Sequence, residues 1–216
     1  MRMYYRTVTG PAQIELEEKK SRFIATCRPL ADEAEANAFV SGIRQQYPDA
    51  THHVYAWILG GDNILQRFSD DGEPQGTAGL PVLDVLRKQN IDQAGIVVTR
   101  YFGGTLLGTG GLVHAYGHSA AMALEAAGPV TMQLSRTFQV IVHYPVLDRL
   151  RHQLNLLGLT PFDFVYGADV KLKVAVPVDQ NQQIIDLLTN ITSGEIEIEP
   201  IGLGYRPLPT PDPPSP

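Results

Sequence analysis

The chain is 216 residues long, 44% hydrophobic and 19% charged, a globular composition with apolar material for one or two domains. Its net charge of −6 is shared, with 11 basic against 14 acidic side chains in residues 1–133, 5 against 8 in 134–203, and one of each beyond; a protein holding nucleic acid mainly through its phosphates is therefore disfavoured, and any such contact needs a local patch. No apolar run reaches the roughly 18–20 residues that span a bilayer, the opening MRMYYRTVTGPAQIELEEKK lacks a signal-peptide core, and a lone Cys27 forbids an intrachain disulfide, as expected for a cytoplasmic protein.

In chain order, ELEEKKSRFIATCRPL (15–30) reads as strand, turn and strand, and DEAEANAFVSGIRQQYP (32–48) as a helix ended by Pro48. HHVYAWILG (52–60) and NILQRFSD (63–70) form a hairpin around Gly60-Gly61-Asp62. Residues 77–90 and 111–127 are helices flanking the strand GIVVTRYF (95–102). This mixture predicts a two-layer α+β domain over residues 1–133.

TFQVIVHYP (137–145) then alternates like a strand, and VLDRLRHQLNLLG (146–158) spaces Val146, Leu147, Leu150, Leu154 and Leu157 helically before Gly158. DFVYG and DVKLKVAVP are strands around Gly167-Ala168-Asp169. DQNQQIIDLLTN (179–190) is a helix with Asp179 placed to cap it, and EIEIEPIGL (195–203) is the last strand. The order β-α-β-β-α-β over 134–203 is the ferredoxin-like arrangement. Val170, Leu172, Val174 and Val176 make one strand half-buried, and the domain, which has no titratable constellation, reads as a docking module. The Pro-rich tail GYRPLPTPDPPSP (204–216) is expected to be extended or disordered.

Two glycine-rich stretches carry what chemistry there is. In SDDGEPQGTAGLP (69–81), Asp71-Gly72 is a turn pair and Thr77 can cap a helix beginning near Leu80. Asp70, Asp71 and Glu73 lack the calcium-loop spacing, and as an acid/base pair they lack a partner of tuned pKa. In VVTRYFGGTLLGTGG (97–111), a strand runs through glycines into a helix, which points backbone N–H groups and a positive dipole end outward. No Lys follows Gly108 or Gly111 as in a P-loop. The dinucleotide fingerprint fails too, because its third glycine would fall at Val113. Both stretches can equally be demanding turns, the second letting a helix cross close over a sheet.

Other candidates are weaker. His52 and His53 point to opposite faces of a strand. His114 and His118 stand one helical turn apart without a third ligand, Cys27 shares an apolar face with Phe23 and Ala25, and Asp84, Arg87 and Lys88 read as a solvated helix face. No nucleophile elbow occurs. No catalytic residue, metal or cofactor is expected.

KSRF (20–23), HHVYAW (52–57), SDDGEPQGTAGLP (69–81) and VVTRYFGGTLLGTGGLVHAY (97–116) together resemble the Impact family in its bacterial form. The family core R-[aromatic]-[aromatic]-G-G-x-x-L-G stands here as Arg100, Tyr101, Phe102, Gly103, Gly104, Leu107 and Gly108. The resemblance is strong over residues 8–125 and looser beyond. It implies an N-terminal two-layer α/β sandwich like the second domain of a small-subunit ribosomal protein and domain IV of elongation factor G. It also implies a C-terminal ferredoxin-like domain similar to domain V of that factor. Eukaryotic members carry an RWD domain ahead of the shared part and restrain an amino-acid-starvation kinase pathway. This chain starts at the shared domain, so that role is not carried over.

What the resemblance does carry over is a non-enzymatic, translation-linked binding protein contacting the ribosome, structured RNA or a translation factor, with no membrane role. Its surface would comprise Arg22, His52, Asp70, Asp71, Gly72, Glu73, Gly76, Thr77, Arg100, Tyr101, Gly103, Gly104, Gly108, Gly110 and Gly111. Arg100 is then expected to pair with a carboxylate of the 69–77 loop and hold both stretches side by side. Lys19, Lys20, Arg22 and Arg100 would form the basic patch RNA requires. The alternative is a magnesium-dependent enzyme on a phosphorylated small molecule or nucleotide, with Asp70, Asp71 or Glu73 holding the ion or serving as base. A deep pocket joining both loops speaks for the enzyme and an open surface for the binder. A third reading has the loops only pack the layers.

Overall fold

A computed structural model describes residues 2–60 and 64–208. It divides into two compact units, Tyr5–Thr131 and, with Arg2–Tyr4, the chain from Met132 onward. The expected turn at Gly61-Asp62, the start of the next strand at Asn63, and the tail from 209 lie outside the described residues. Among the described residues no helix is long and apolar enough to cross a membrane.

The chain opens with β1 (Tyr4–Val8), which the sequence pattern did not reveal. It continues through β2 (Ala12–Glu18), β3 (Ser21–Pro29), α1 (Glu33–Gln46), β4 (His52–Leu59), β5 (Leu65–Ser69), α2 (Gly79–Lys88), β6 (Ala94–Tyr101) and α3 (Gly108–Ala126). The N-terminal unit is an antiparallel sheet in the order β2-β3-β6-β4-β5. The central strand β6 is apolar at consecutive positions because both its faces are covered. Ile96 and Val98 join Phe23, Cys27 and Ala56 under α2 (Val82, Leu83, Leu86) and α3 (Leu112, Tyr116, Ala120). Val97 faces the other way, with Trp57 and Leu59 against Ala36, Phe39 and Ile43 of α1. The α+β class is as expected, and α1 adds cover on the second face. Gly95 leaves room for the side chains packed on β6: a Cβ there would lie 2.7 Å from the Leu30 side chain and 3.0 Å from Cβ of Trp57.

The C-terminal unit follows the expected β-α-β-β-α-β order: β7 (Pro129–Val142), α4 (Tyr144–Leu156), β8 (Phe162–Tyr166), β9 (Val170–Pro177), α5 (Asn181–Ile191) and β10 (Glu197–Pro207). Its strands run β10-β7-β9-β8. Phe138, Val140 and Val142 of β7 and Val170, Leu172, Val174 and Val176 of β9 bury one sheet face against Leu147, Leu150 and Leu154 of α4 and Ile184 and Leu188 of α5.

Three local expectations are corrected. Thr77 does not cap α2: its hydroxyl donates to Pro74 O at 2.6 Å, and the cap residue, Ala78, has no side-chain bond to give. Asp179 does not cap α5, because a short 3₁₀ turn (Val178–Gln180) delays the helix to Asn181 and the carboxylate instead accepts from Tyr4 OH at 3.1 Å. The first tail residues are strand: Gly204 to Pro207 pair with Ser135 to Met132, because β7 begins earlier than its pattern shows.

Candidate functional site

The two glycine stretches meet over the α2/α3 face of the sheet. Register places His52 of β4 and Phe23 of β3 directly opposite Arg100 of β6, so the three side chains share that face. Arg100 does reach a carboxylate of the other loop: its Nη1 donates to Glu73 Oε1 at 2.5 Å. Tyr116 OH donates to the same oxygen at 2.8 Å, and His52 Nε2 lies 3.8 Å from it. Arg100 Nη2 donates to Ser21 Oγ at 3.1 Å, which also accepts from Gly103 N at 3.3 Å. The guanidinium lies over the rings of Phe23 and Phe102, 5.4 and 5.6 Å from their centroids. Arg100 is only 4% exposed, and among the described residues its Nε has no hydrogen-bond partner.

The expected pairing of Arg100 with a carboxylate of the 69–77 loop is thus present, and its burial takes Arg100 out of the expected basic patch. A charge in a dry site is tolerable only when paired, and Glu73, equally buried, neutralises it from within. Burial, and then the Glu73 charge and hydrogen bond, push the Tyr116 phenol far above its ordinary value, so it remains a neutral donor.

The other loop carboxylates are engaged as well. Asp70 accepts from Gly76 N (2.9 Å), Ala78 N (3.1 Å) and Gly79 N (2.8 Å), and is thereby the cap of α2 that Thr77 was expected to be. Asp71 takes Arg44 Nη2 at 2.5 Å on one oxygen and His53 N at 2.6 Å on the other. It sits at φ +45° and Gly72 at +90°, a turn that lays Asp71 O 2.8 Å from His52 Nδ1. A carbonyl only accepts, so Nδ1 is the donor of this bond, and Nε2 is the nitrogen that faces Glu73.

Arg22 and Tyr101 do not join this cluster. They pair across β3 and β6 on the opposite sheet face, where Arg22 grips Glu15 through two bonds of 2.6 and 2.9 Å and lies over the Tyr101 ring. That hydrogen-bonded partner holds the Glu15 carboxyl below its usual range. Arg22 and Arg100 thus both serve internal pairs. The expected basic patch reduces to Lys19 and Lys20, exposed at the β2–β3 turn.

The second loop is shaped by its glycines. A Cβ on Gly103 would stand 1.9 Å from Lys20 O, and Gly104 and Gly108 hold φ of +80° and +75°. Leu107 is buried and anchors the loop, whereas Gly110 has open space around it and Gly111 lies against Leu107. No side chain caps α3 and no acid occupies its first turn. A groove of 580 Å³ between α2 and α3 takes in Gly76, Asp84, His114 and His118 but no residue of the 102–107 loop. Among the described residues no three His, Cys, Asp or Glu side chains group as metal ligands.

Sequence reasoning missed Ser21, Arg44 and Tyr116. Tyr116 had a usable signal: it falls on the buried stripe of α3 with Leu112 and Ala120, and a buried phenol needs a partner. Ser21 stands inside the KSRF stretch but was not singled out there, and Arg44 left no signal, since its partner is 27 residues away.

Comparison with known proteins adds the following. A family model described as the Impact N-terminal domain matches residues 19–124, and a domain of unknown function (DUF1949) matches residues 140–195. The "IMPACT family member YvyE" of Bacillus subtilis is 34% identical over 93% of this chain and 93% of its own. The "IMPACT family member YigZ" of Escherichia coli is 37% identical over 88% of this chain and 94% of its own. A solved structure titled "Crystal structure of an hypothetical protein" matches at 33% identity and a TM-score of 0.60, covering 94% of this chain and 99% of that one.

Proposed function

As the chain belongs to the IMPACT family, we propose that it is a non-enzymatic cytoplasmic protein that binds RNA, the ribosome or a translation factor and acts in translation or its regulation. One observation carries the reading. Each carboxylate of the 69–77 loop is engaged by the protein's own groups: Asp70 on the backbone of α2, Asp71 on Arg44 and His53, Glu73 on Arg100 and Tyr116. A magnesium-dependent reaction on a phosphorylated molecule would need one of these carboxylates free to hold the ion or take a proton. A binding surface needs only that the loops be held still, which is what the engaged groups do.

The test is co-sedimentation of the purified chain with ribosomes and separated subunits across a salt series. Saturable binding to one particle supports the proposal. Failure to bind any of them, with turnover of a nucleotide or phosphosugar in the presence of Mg²⁺, would sink it in favour of the enzyme.

A further inference from the structure

The C-terminal unit holds a cavity of 490 Å³, and strand alternation says where it lies. Phe138, Val140 and Val142 of β7 and Val174 and Val176 of β9 face α4 and α5, so Gln133, Ser135, Ala175 and Pro177 point to the opposite face of the sheet. Arg206 of β10 stands opposite Gln133, and Phe162 of β8 opposite Lys173, on that same face. Gly204, paired with Ser135, has open space where a Cβ would be. The middle of this face is therefore floored by Ser135, Ala175 and Gly204, all small. Two strands, β7 and β9, separate β10 from β8, yet the Arg206 guanidinium lies over the Phe162 ring, 5.6 Å from its centroid. Two long side chains bridge a floor of short ones, which leaves a hollow.

The hollow carries one charge with nothing to neutralise it. Among the described residues that line it, Arg206 alone is charged, and its guanidinium makes no hydrogen bond or ion pair with any described residue. Near the glycine loops each arginine has a carboxylate, Arg44 at Asp71 and Arg100 at Glu73; Arg206 is instead steadied on an aromatic face, which holds a cation without cancelling it. Gln133 and Ser135, both buried, also line the cavity. Gln133 Nε2 donates to Tyr4 OH at 2.8 Å and Ser135 Oγ donates to Gln133 O at 3.3 Å, so both side-chain oxygens remain able to accept. Leu159 and Pro177 make the rest of the wall apolar.

We propose that this cavity binds a small organic monocarboxylate, with the carboxylate on Arg206 and an apolar body against Phe162, Leu159 and Pro177. Its volume lies within the roughly 300–1,000 Å³ of small-molecule sites, and a guanidinium presents paired N–H groups that match a carboxylate. One unpaired cation suits one negative charge. A dianionic phosphate or a nucleic-acid strand calls for further cations, and none lines the cavity. The inference stands apart from the translation reading: it concerns the C-terminal unit, and its test needs no ribosome.

The full chain is titrated calorimetrically with hydrocinnamate, octanoate, the neutral hydrocinnamamide and inorganic phosphate, and the same titrations are followed in amide NMR spectra. Arg206→Gln removes the charge at an exposed position and should keep the wild-type unfolding midpoint, while Ala175→Leu fills the floor. The expected result is saturable binding of the acids with shifts at the Ser135 and Ala175 amides, weaker by about tenfold or more for hydrocinnamamide and for Arg206→Gln, and lost in Ala175→Leu. Equal binding of the amide, or undiminished binding by Arg206→Gln, overturns recognition through Arg206. Phosphate that shifts the same signals as tightly as the acids overturns the carboxylate. No saturable binding of either acid, or shifts confined to other residues, overturns the site.

Discussion

Substitution of Arg100 by Met tests whether the buried ion pair is what joins the two glycine loops. Met keeps most of the aliphatic stem against Phe23 and Phe102 but leaves the Glu73 carboxylate with Tyr116 OH as its one short donor. Removing one partner of a buried pair costs about 3–5 kcal/mol, because the other charge remains dry and uncompensated. Glu73→Gln should cost somewhat less, since its carbonyl still accepts from Tyr116 and Arg100, leaving only the cation unneutralised. The double variant has no buried charge in this pair and should recover much of the loss, with a coupling of about 2–3 kcal/mol. Urea unfolding followed by fluorescence of Trp57 reads this directly. It is the chain's sole tryptophan, it is 1% exposed, and it sits in the same sheet. An Arg100→Met loss under about 1 kcal/mol, or single effects that simply add in the double variant, would refute the pair as the fastening.

Three further outcomes follow from the same geometry. Asp70→Ala, losing three backbone donors at the start of α2, should cost about 2 kcal/mol, and Thr77→Ala about 1 kcal/mol for a single hydroxyl bond; the reverse order in urea titrations would restore Thr77 as the cap. Gly103→Ala drives a methyl onto Lys20 O and should destabilise strongly or displace the loop, whereas Gly110→Ala, in open space inside α3, should be neutral or stabilise by up to about 1 kcal/mol; thermal melts of both variants decide. Burial pushes the Cys27 thiol up to about 12. A raised value means that the unfolded chain ionises first, so stability is complete below about pH 9 and falls towards pH 12 by about 1.4 kcal/mol per pH unit. Urea midpoints from pH 8 to 11 should decline less steeply in Cys27→Ala than in wild type, and equal slopes would place the alkaline loss elsewhere.

Much of the fold was legible because its signals are local. The run GIVV in β6, bounded by helical patterns, marks a strand covered on both faces, and Val170 to Val176 mark one covered on a single face. The site was less legible because its bonds are not local. Asp70, Asp71 and Glu73 are alike in type and lie within four positions, so nothing in the string says which meets Arg100. The cap of α2 stands nine residues before Gly79 in the chain, beyond the reach of any rule about neighbouring residues. The end of β10 went unread because its partner is the early end of a long β7.

The difference between an anion site and a fastening lies in where the neutralising charge comes from. The same residues, an arginine at the end of a strand, carboxylates in a turn and glycines before a helix, serve either purpose and look alike as a string. Had the counter-charge been left to a ligand, Arg100 would need open access and a free donor directed outward, and the bare protein would carry a dry, unpaired cation. Glu73 supplies the counter-charge instead, at 2.5 Å, with Tyr116 and Ser21 completing the shell.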